Sequence, residues 1–444
     1  MPEVRPAGPY PLEGINLETW LVRFDKNGVC TSPGTRAALL AALAAKPTSP
    51  VLFFSHGWNN DFADAVDLYR TFLSRLQEVL QTNPLPPGPA PIFVGITWPS
   101  IWLPSDSGPQ MAAAGPIGQN PETERVAEEL LDILPSSTDW DRFYQLIHAA
   151  RLTQAEAGEL AGMLKPAVKA DRVGPDEAPA SEDKIVAAMN AMQAARGGAP
   201  VRDNLDDFGT VGGTAGAGPG AAGILSYLDP RWAVRLASLY IMKDRAGTVG
   251  SNGVAALLRD IKQSTQGPLH MAGHSFGAKV MLSALAAQPA GGRPARSLLL
   301  LQPAVSHLSF AATVPGREGP GGYRSVLDRV VNPIVTTYSN HDIPLHEIYH
   351  LALLRREDLG ELQIAAGETA AGNPPNAYAA LGGYGPRGAG QRLINTIPGP
   401  GEALDLAGAR LIGLDGSVPN RIGSHGGVAT EFTAWTLRAL MALP

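Results

Sequence analysis

Five residues constrain this chain more than any others: Gly273-His274-Ser275-Phe276-Gly277. They follow the apolar run Leu269-His270-Met271-Ala272 and precede a helix-prone segment, Ala278 to Ala287. An apolar run, a tight turn and a helix in succession predict a buried strand that breaks sharply into a helix with Ser275 at the apex. Such a turn strains the serine backbone and lifts its hydroxyl above the sheet. Side chains two residues to either side would crowd it, so glycine belongs at 273 and 277. The helix that starts after the serine brings N–H groups and a positive dipole end close to the hydroxyl. Glycine is frequent here, 50 of 444 residues, so the weight rests on the strand before and the helix after as well as on the pentapeptide.

A strand of this kind needs neighbours. Val51–Ser55, Ile92–Thr97, Ser297–Leu301 and Ile334–Ser339 are further short apolar runs, the pattern of strands buried on both faces. Ile15–Asp25 reads as another strand. Thr35–Lys46, Asp61–Gln81, Val249–Gln263 and Val428–Leu440 read as helices. The chain is therefore expected to be α/β, with a mostly parallel central sheet flanked by helices. The rhythm breaks between about 101 and 240, where Glu122–Ile133, Thr138–Leu164 and Ser181–Ala195 are helical in pattern and Thr210–Gly223 is a Gly/Ala tract. Residues 1–100 and 241–444 are expected to form the core, and 101–240 a large, mainly helical insertion. Ligands of open parallel sheets bind beyond the carboxyl ends of the strands, so an insertion there serves as a cap; an oligomerisation element is the other reading.

Composition narrows the class. Apolar residues make up 44% and charged residues 17%, with a net charge of −6, as in a globular protein. No basic cluster suggests nucleic acid or an anionic membrane, and no run approaches a membrane span. The single cysteine, Cys30, excludes an internal disulfide and a cysteine-based zinc site. Met1-Pro2-Glu3-Val4-Arg5-Pro6 has no apolar core of a signal peptide, which makes the cytoplasm the expected location.

Three segments together resemble the α/β-hydrolase superfamily, and within it a bacterial group of serine hydrolases of largely unassigned function. They are His56-Gly57-Trp58-Asn59-Asn60, Thr97-Trp98-Pro99-Ser100 and Ala272-Gly273-His274-Ser275-Phe276-Gly277. A serine needs a base, an acid that orients the base, and donors for an oxyanion. The resemblance implies the chain order serine, acid, histidine. Asp342 lies just past the strand Ile334–Ser339, where the acid belongs, with Glu347 as the fallback. The preceding strand runs into Gln302-Pro303-Ala304 and offers no carboxylate. His425 sits in Gly423-Ser424-His425-Gly426-Gly427, before the last helix. The implied triad is Ser275, Asp342 and His425, with the Trp58 and Phe276 backbone N–H groups as oxyanion donors. Gly57 lets the backbone approach the substrate. His56 reads mainly as a loop-structuring residue. It is grouped with Gly57, Trp98, Trp102 and His274 as substrate-binding, and core packing is the other reading of each tryptophan. The long insertion and the Gly/Pro-rich stretch Ala371–Pro400 depart from the superfamily pattern.

The expected activity is hydrolysis of a small-molecule carboxylic ester by an esterase or lipase-like enzyme. Amidase, thioesterase and acyltransferase chemistry share the same machinery. No cofactor is implied, and the protein is expected to be a monomer or a homo-oligomer. A rival motif, His346-Glu347-Ile348-Tyr349-His350, matches H-E-x-x-H, which on a helix could hold a zinc ion. It begins two residues after Pro344, and no clear third ligand follows; Glu357 and Glu368 are the nearest. The expectation is therefore no catalytic metal, with His346 and His350 on one face of an amphipathic helix. A non-catalytic binding relative would be expected to lack the serine, the histidine or the oxyanion loop, and all are present.

Overall fold

The computed structural model describes residues 7–58, 60–100, 134–135, 137–149, 151–168, 185–190, 230–315, 319–349 and 379–443. The apolar runs become strands β1 (Glu18–Arg23), β2 (Val51–Ser55), β3 (Ile92–Thr97), β4 (Leu269–His274), β5 (Ser297–Leu301) and β6 (Ile334–Tyr338). Two strands absent from the sequence reading, β7 (Arg392–Ile394) and β8 (Leu411–Asp415), complete an eight-stranded sheet. Its order is β1-β3-β2-β4-β5-β6-β8-β7. Every paired neighbour is parallel, so the sheet is more uniform than expected.

Parallel strands cannot be joined by hairpins, so each crossover lays chain across a face of the sheet and buries it. The helices are α1 (Pro33–Ala45), α2 (Phe62–Thr82), α3 (Trp140–Ile147), α4 (Gln154–Val168), α5 (Arg231–Thr248), α6 (Ala255–Ser264), α7 (Phe276–Ala286), α8 (Leu381–Tyr384) and α9 (Glu431–Met441). Alternate strand residues serve two cores. Phe53 and Met271 point into one with α1, α5, α6 and α7; Leu52, Phe54 and Ala272 point into the other with α2 and α9. The fold is α/β, with one parallel sheet between helical layers.

Local chemistry explains the helix limits. Asp61 and Asp64 exchange hydrogen bonds at the start of α2, and Thr430 and Thr433 do so at the start of α9, three residues later than expected. The expected helix Thr138–Leu164 is two helices, because Asp139 caps α3 while Thr153 and Glu156 form a second capping pair that starts α4. The expected helix from Val249 is the end of a longer rod, in which α5 passes into α6 through a π-helical turn, Val249–Val254. α5 packs on α7 and on α4, so the boundary placed at 240/241 falls inside a helix that belongs to the core. Most of 101–240, including the expected helix Glu122–Ile133 and the Thr210–Gly223 tract, lies outside the described residues. Of Ser181–Ala195, only 185–190 is described, as helix. Among the described residues no helix is long and apolar enough to cross a membrane.

The strand order places the site. From β2 the chain moves to β3 on one side, then crosses to β4 on the other. The carboxyl ends of β2 and β4 therefore lie side by side where the direction of winding reverses, and that is where a crevice opens in sheets of this kind.

Candidate active site

Ser275 follows β4 directly and sits at φ 54°, in the left-handed region that a side chain adopts only under strain. Backbone packing holds it there. Its N–H donates to the carbonyl of Leu301 at the end of β5, and its own carbonyl accepts from Ala278 and Ala304. A Cβ on Gly273 would lie 2.7 Å from the Gly277 carbonyl oxygen. One on Gly277 would fall onto the carbonyl oxygens of Ser55 and His56. The elbow is close-packed backbone against backbone, with no room for side chains at either glycine.

The loop after β2 closes on the serine from the other side. A Cβ on Gly57 would lie 2.5 Å from that of Ser275. Tyr69 of α2 anchors this loop: its buried hydroxyl accepts from the His56 N–H and donates to the Ile96 carbonyl of β3. Burial pushes the Tyr69 phenol well above its ordinary range, which keeps it a donor. His56 is buried beneath the loop, stacked on Trp98 with ring centroids 5.6 Å apart. Its Nδ1 donates to the Gly57 carbonyl at 2.9 Å and its Nε2 accepts from the Trp98 N–H. Burial lowers its pKa to about 4, so it is neutral, as this pair of bonds requires. His56 and Trp98, grouped from sequence as substrate-binding, thus hold the loop together by contacts with each other. Trp58 follows Gly57, and its ring lies 6.0 Å from that of Phe276, the first residue of α7. The first N–H groups of a helix have no intrahelical acceptor, so the Phe276 N–H at the head of α7 is of the kind an oxyanion can use.

Acid and base arrive from the far side of the sheet. Asp342, in the turn after β6, is fully buried. Its Oδ1 accepts from the Leu345 N–H at 3.0 Å. Its Oδ2 accepts from His425 Nδ1 at 2.8 Å. His425 Nε2 lies 2.9 Å from Ser275 Oγ. With Nδ1–H held by the carboxylate, Nε2 carries the lone pair and faces the serine hydroxyl. The His425 loop is pinned twice: Ser339 Oγ donates to the Ile422 carbonyl at 2.9 Å, and His274 Nε2 donates to the carbonyl of His425 itself at 2.9 Å. His274, expected to touch substrate, is buried against that loop with its ring 4.9 Å from that of His425. Burial first, then the neighbouring His425, lower its pKa to about 3, so it stays neutral and donates from one nitrogen.

The structure thus brings Ser275, His425 and Asp342 into one hydrogen-bonded line and sets Gly57 against it. Trp102 and Asn59 lie outside the described residues. So do His350, Glu357 and Glu368 of the rival motif, and the Glu347 side chain. The expected amphipathic helix there begins as a π-helical turn, Pro344–Ile348. His346 stacks on Tyr384 at 4.2 Å and its Nδ1 donates to the Gly383 carbonyl at 3.1 Å. Among the described residues no three His, Cys, Asp or Glu side chains are grouped to hold a metal ion. Two residues that sequence reasoning passed over also shape the site. Tyr69 looked like any apolar position on the buried face of α2. Gln302, fully buried at the end of β5, donates from Nε2 to Asp342 Oδ2 at 2.8 Å. Its one signal was its place, the first polar residue at the carboxyl edge of the strand before the acid. Comparison with known protein families, curated proteins and solved structures finds no match to this chain.

Proposed function

We propose that this chain is a serine hydrolase of the α/β-hydrolase type that cleaves small carboxylic esters through an acyl-enzyme. The observation that carries the reading is the unbroken path from Ser275 Oγ through His425 to buried Asp342, with contacts of 2.9 and 2.8 Å, ending on a serine held at positive φ. In this reading Ser275 Oγ attacks the ester carbonyl carbon as its proton passes to His425 Nε2. Asp342 holds the Nδ1–H tautomer and stabilises the imidazolium. The Trp58 and Phe276 N–H groups receive the oxyanion, where one donor is typically worth about 10²–10³ in turnover. Collapse expels the alkoxide, which takes the proton back from His425. Water then repeats the sequence on the acyl-enzyme, and the free acid leaves. In this reading the insertion that leaves the carboxyl end of β3 and ends before α5 serves as the cap. Amides, thioesters and acyl transfer to other acceptors would use the same groups.

The test is intact-protein mass after fluorophosphonate treatment, together with hydrolysis of p-nitrophenyl acetate, for wild type and Ser275→Ala. One adduct on the wild type, none on the variant, and turnover lower by at least about 10⁴-fold are expected. A chelator should change neither result. Equal labelling of both proteins, or chelator-sensitive hydrolysis retained by Ser275→Ala, sinks the reading.

A further inference from the structure

Gln302 stands where β5 leaves the sheet, and its backbone is at φ 44°. Side chains rarely adopt that conformation, and a strained residue persists only where its surroundings over-determine it. Here they do. The Gln302 N–H donates to Thr337 Oγ1 at 3.0 Å. The Thr337 hydroxyl in turn donates to Gln302 Oε1 at 3.4 Å. The Asp342 carboxylate, which only accepts, fixes which way the carboxamide faces: nitrogen to the carboxylate, which leaves the oxygen to the hydroxyl. Nε2 then donates to Asp342 Oδ2 at 2.8 Å, the same oxygen that accepts from His425 Nδ1 at 2.8 Å. The Leu345 N–H holds Oδ1. The carboxylate therefore meets a donor on each oxygen and a second one on the oxygen that faces His425.

We propose that Gln302 is a positioning residue of the Ser275–His425–Asp342 line, holding Oδ2 of Asp342 towards His425. The proposal rests on the serine-hydrolase reading of the same site. A buried carboxylate that loses a donor is harder to ionise and free to rotate away from its histidine. Gln302 touches no substrate; it acts through Asp342. Its strained backbone fits that role, because an unstrained residue at 302 would send its side chain elsewhere.

The experiment compares wild type, Gln302→Met, Gln302→Glu and Thr337→Val. It measures p-nitrophenyl acetate turnover and fluorophosphonate inactivation from pH 5 to 10, with thermal melting as a folding control. Gln302→Met keeps the volume and loses the donor. It should lower kcat and the inactivation rate about 10–100-fold, leave KM within about 2-fold, and move the acid limb of the profile to higher pH. Thr337→Val should do the same more weakly. Gln302→Glu is the discriminating variant. Protonated, the new carboxyl donates to Oδ2 as the carboxamide does, so activity at low pH stays near that of wild type. Once it ionises, two carboxylates face each other and activity falls, giving a descending limb where the wild-type profile is flat. If Gln302→Glu does not fold, the Met and Val variants carry the same test through the acid limb. Profiles of wild-type shape in every variant, or a rise in KM with kcat unchanged, overturn the role of Gln302 alone. A wild type that takes no label at Ser275 overturns the serine-hydrolase reading, and this proposal with it.

Discussion

The two sides of Ser275 are held by different physics. On the β2–β4 side the structure is backbone against backbone: Gly57 touches the serine, and Gly277 backs onto the carbonyls of Ser55 and His56. The histidines there, His56 and His274, are neutral and serve as struts. On the β5–β6 side the structure is a chain of side-chain hydrogen bonds, from Thr337 to Gln302 to Asp342 to His425. The first side fixes a position and tolerates no added volume. The second fixes the facing of donors and acceptors and depends on which atoms donate. On the serine-hydrolase reading proposed above, substitutions should therefore fail differently on the two sides, through stability on one and through turnover on the other.

Asp342→Asn should produce the largest separation. The side chain keeps its shape, but its charge is gone and an amide enters a site where Gln302, Leu345 and His425 all donate. Turnover of p-nitrophenyl acetate should fall about 10⁴-fold, because the histidine tautomer is lost. Stability should fall by only about 1–3 kcal/mol, the usual cost of unsatisfied buried donors. A tenfold loss or less, measured on protein that melts like wild type, would mean that the hydrogen-bonded line does not set the rate.

Acid should expose the other side. His56 and His274 titrate near their ordinary value of 6.5 when unfolded, but burial holds them near 4 and near 3 in the fold. Between those values and 6.5 the unfolded chain binds the extra protons. Their contribution to stability is thus fully present above about pH 6.5 and is lost as pH falls towards 4. Each histidine adds about 1.4 kcal/mol per pH unit to that slope. The urea midpoint should therefore drop steeply between pH 6.5 and 5. A flat midpoint across that range would show that these two histidines are not the buried neutral struts described above.

The same contrast governs what could be read from the sequence. β2 to β6 were legible because a strand buried on both faces is a continuous apolar run. β7 and β8 were not: β7 has three residues, half-buried throughout, and β8 is interrupted by Gly413 within a Gly/Pro-rich region. Gly413 is there because a Cβ would press on Leu393 and Pro386, a tertiary reason with no local trace. The elbow was legible because its constraint is steric and local, so it appears as glycines at fixed spacing. Asp342 and His425, which the structure brings to Ser275, were named from chain order and loop context. Gln302 was passed over because its meaning depends on a partner 40 residues away and on an amide orientation that only the folded network fixes. The split between α3 and α4 was written in Thr153 and Glu156, and a longer helical period hid it.

The smallest expected effect separates the two sides most cleanly, because it uses one chemical change, a single added methyl group. Gly277→Ala places a Cβ against two carbonyl oxygens of the β2 loop, and neither can withdraw without moving β2 itself. Overpacking of this kind costs about 1–3 kcal/mol, and a chemical denaturation curve should show it directly. Gly423→Ala adds the same methyl in the loop that carries His425. There the nearest atoms belong to the Asn420 side chain, 3.0–3.6 Å away, which can swing aside. Its cost should be within about 0.5 kcal/mol, as for an ordinary surface change. The comparison therefore turns on the difference between the variants, and a shared effect on the unfolded chain largely cancels from it. Equal destabilisation by the two would break the division, since it would make the His425 loop as rigidly packed as the elbow. A stable Gly277→Ala would break it from the other direction: the β2 loop would have room to retreat, and the close approach of Gly57 to Ser275 would no longer follow from backbone packing.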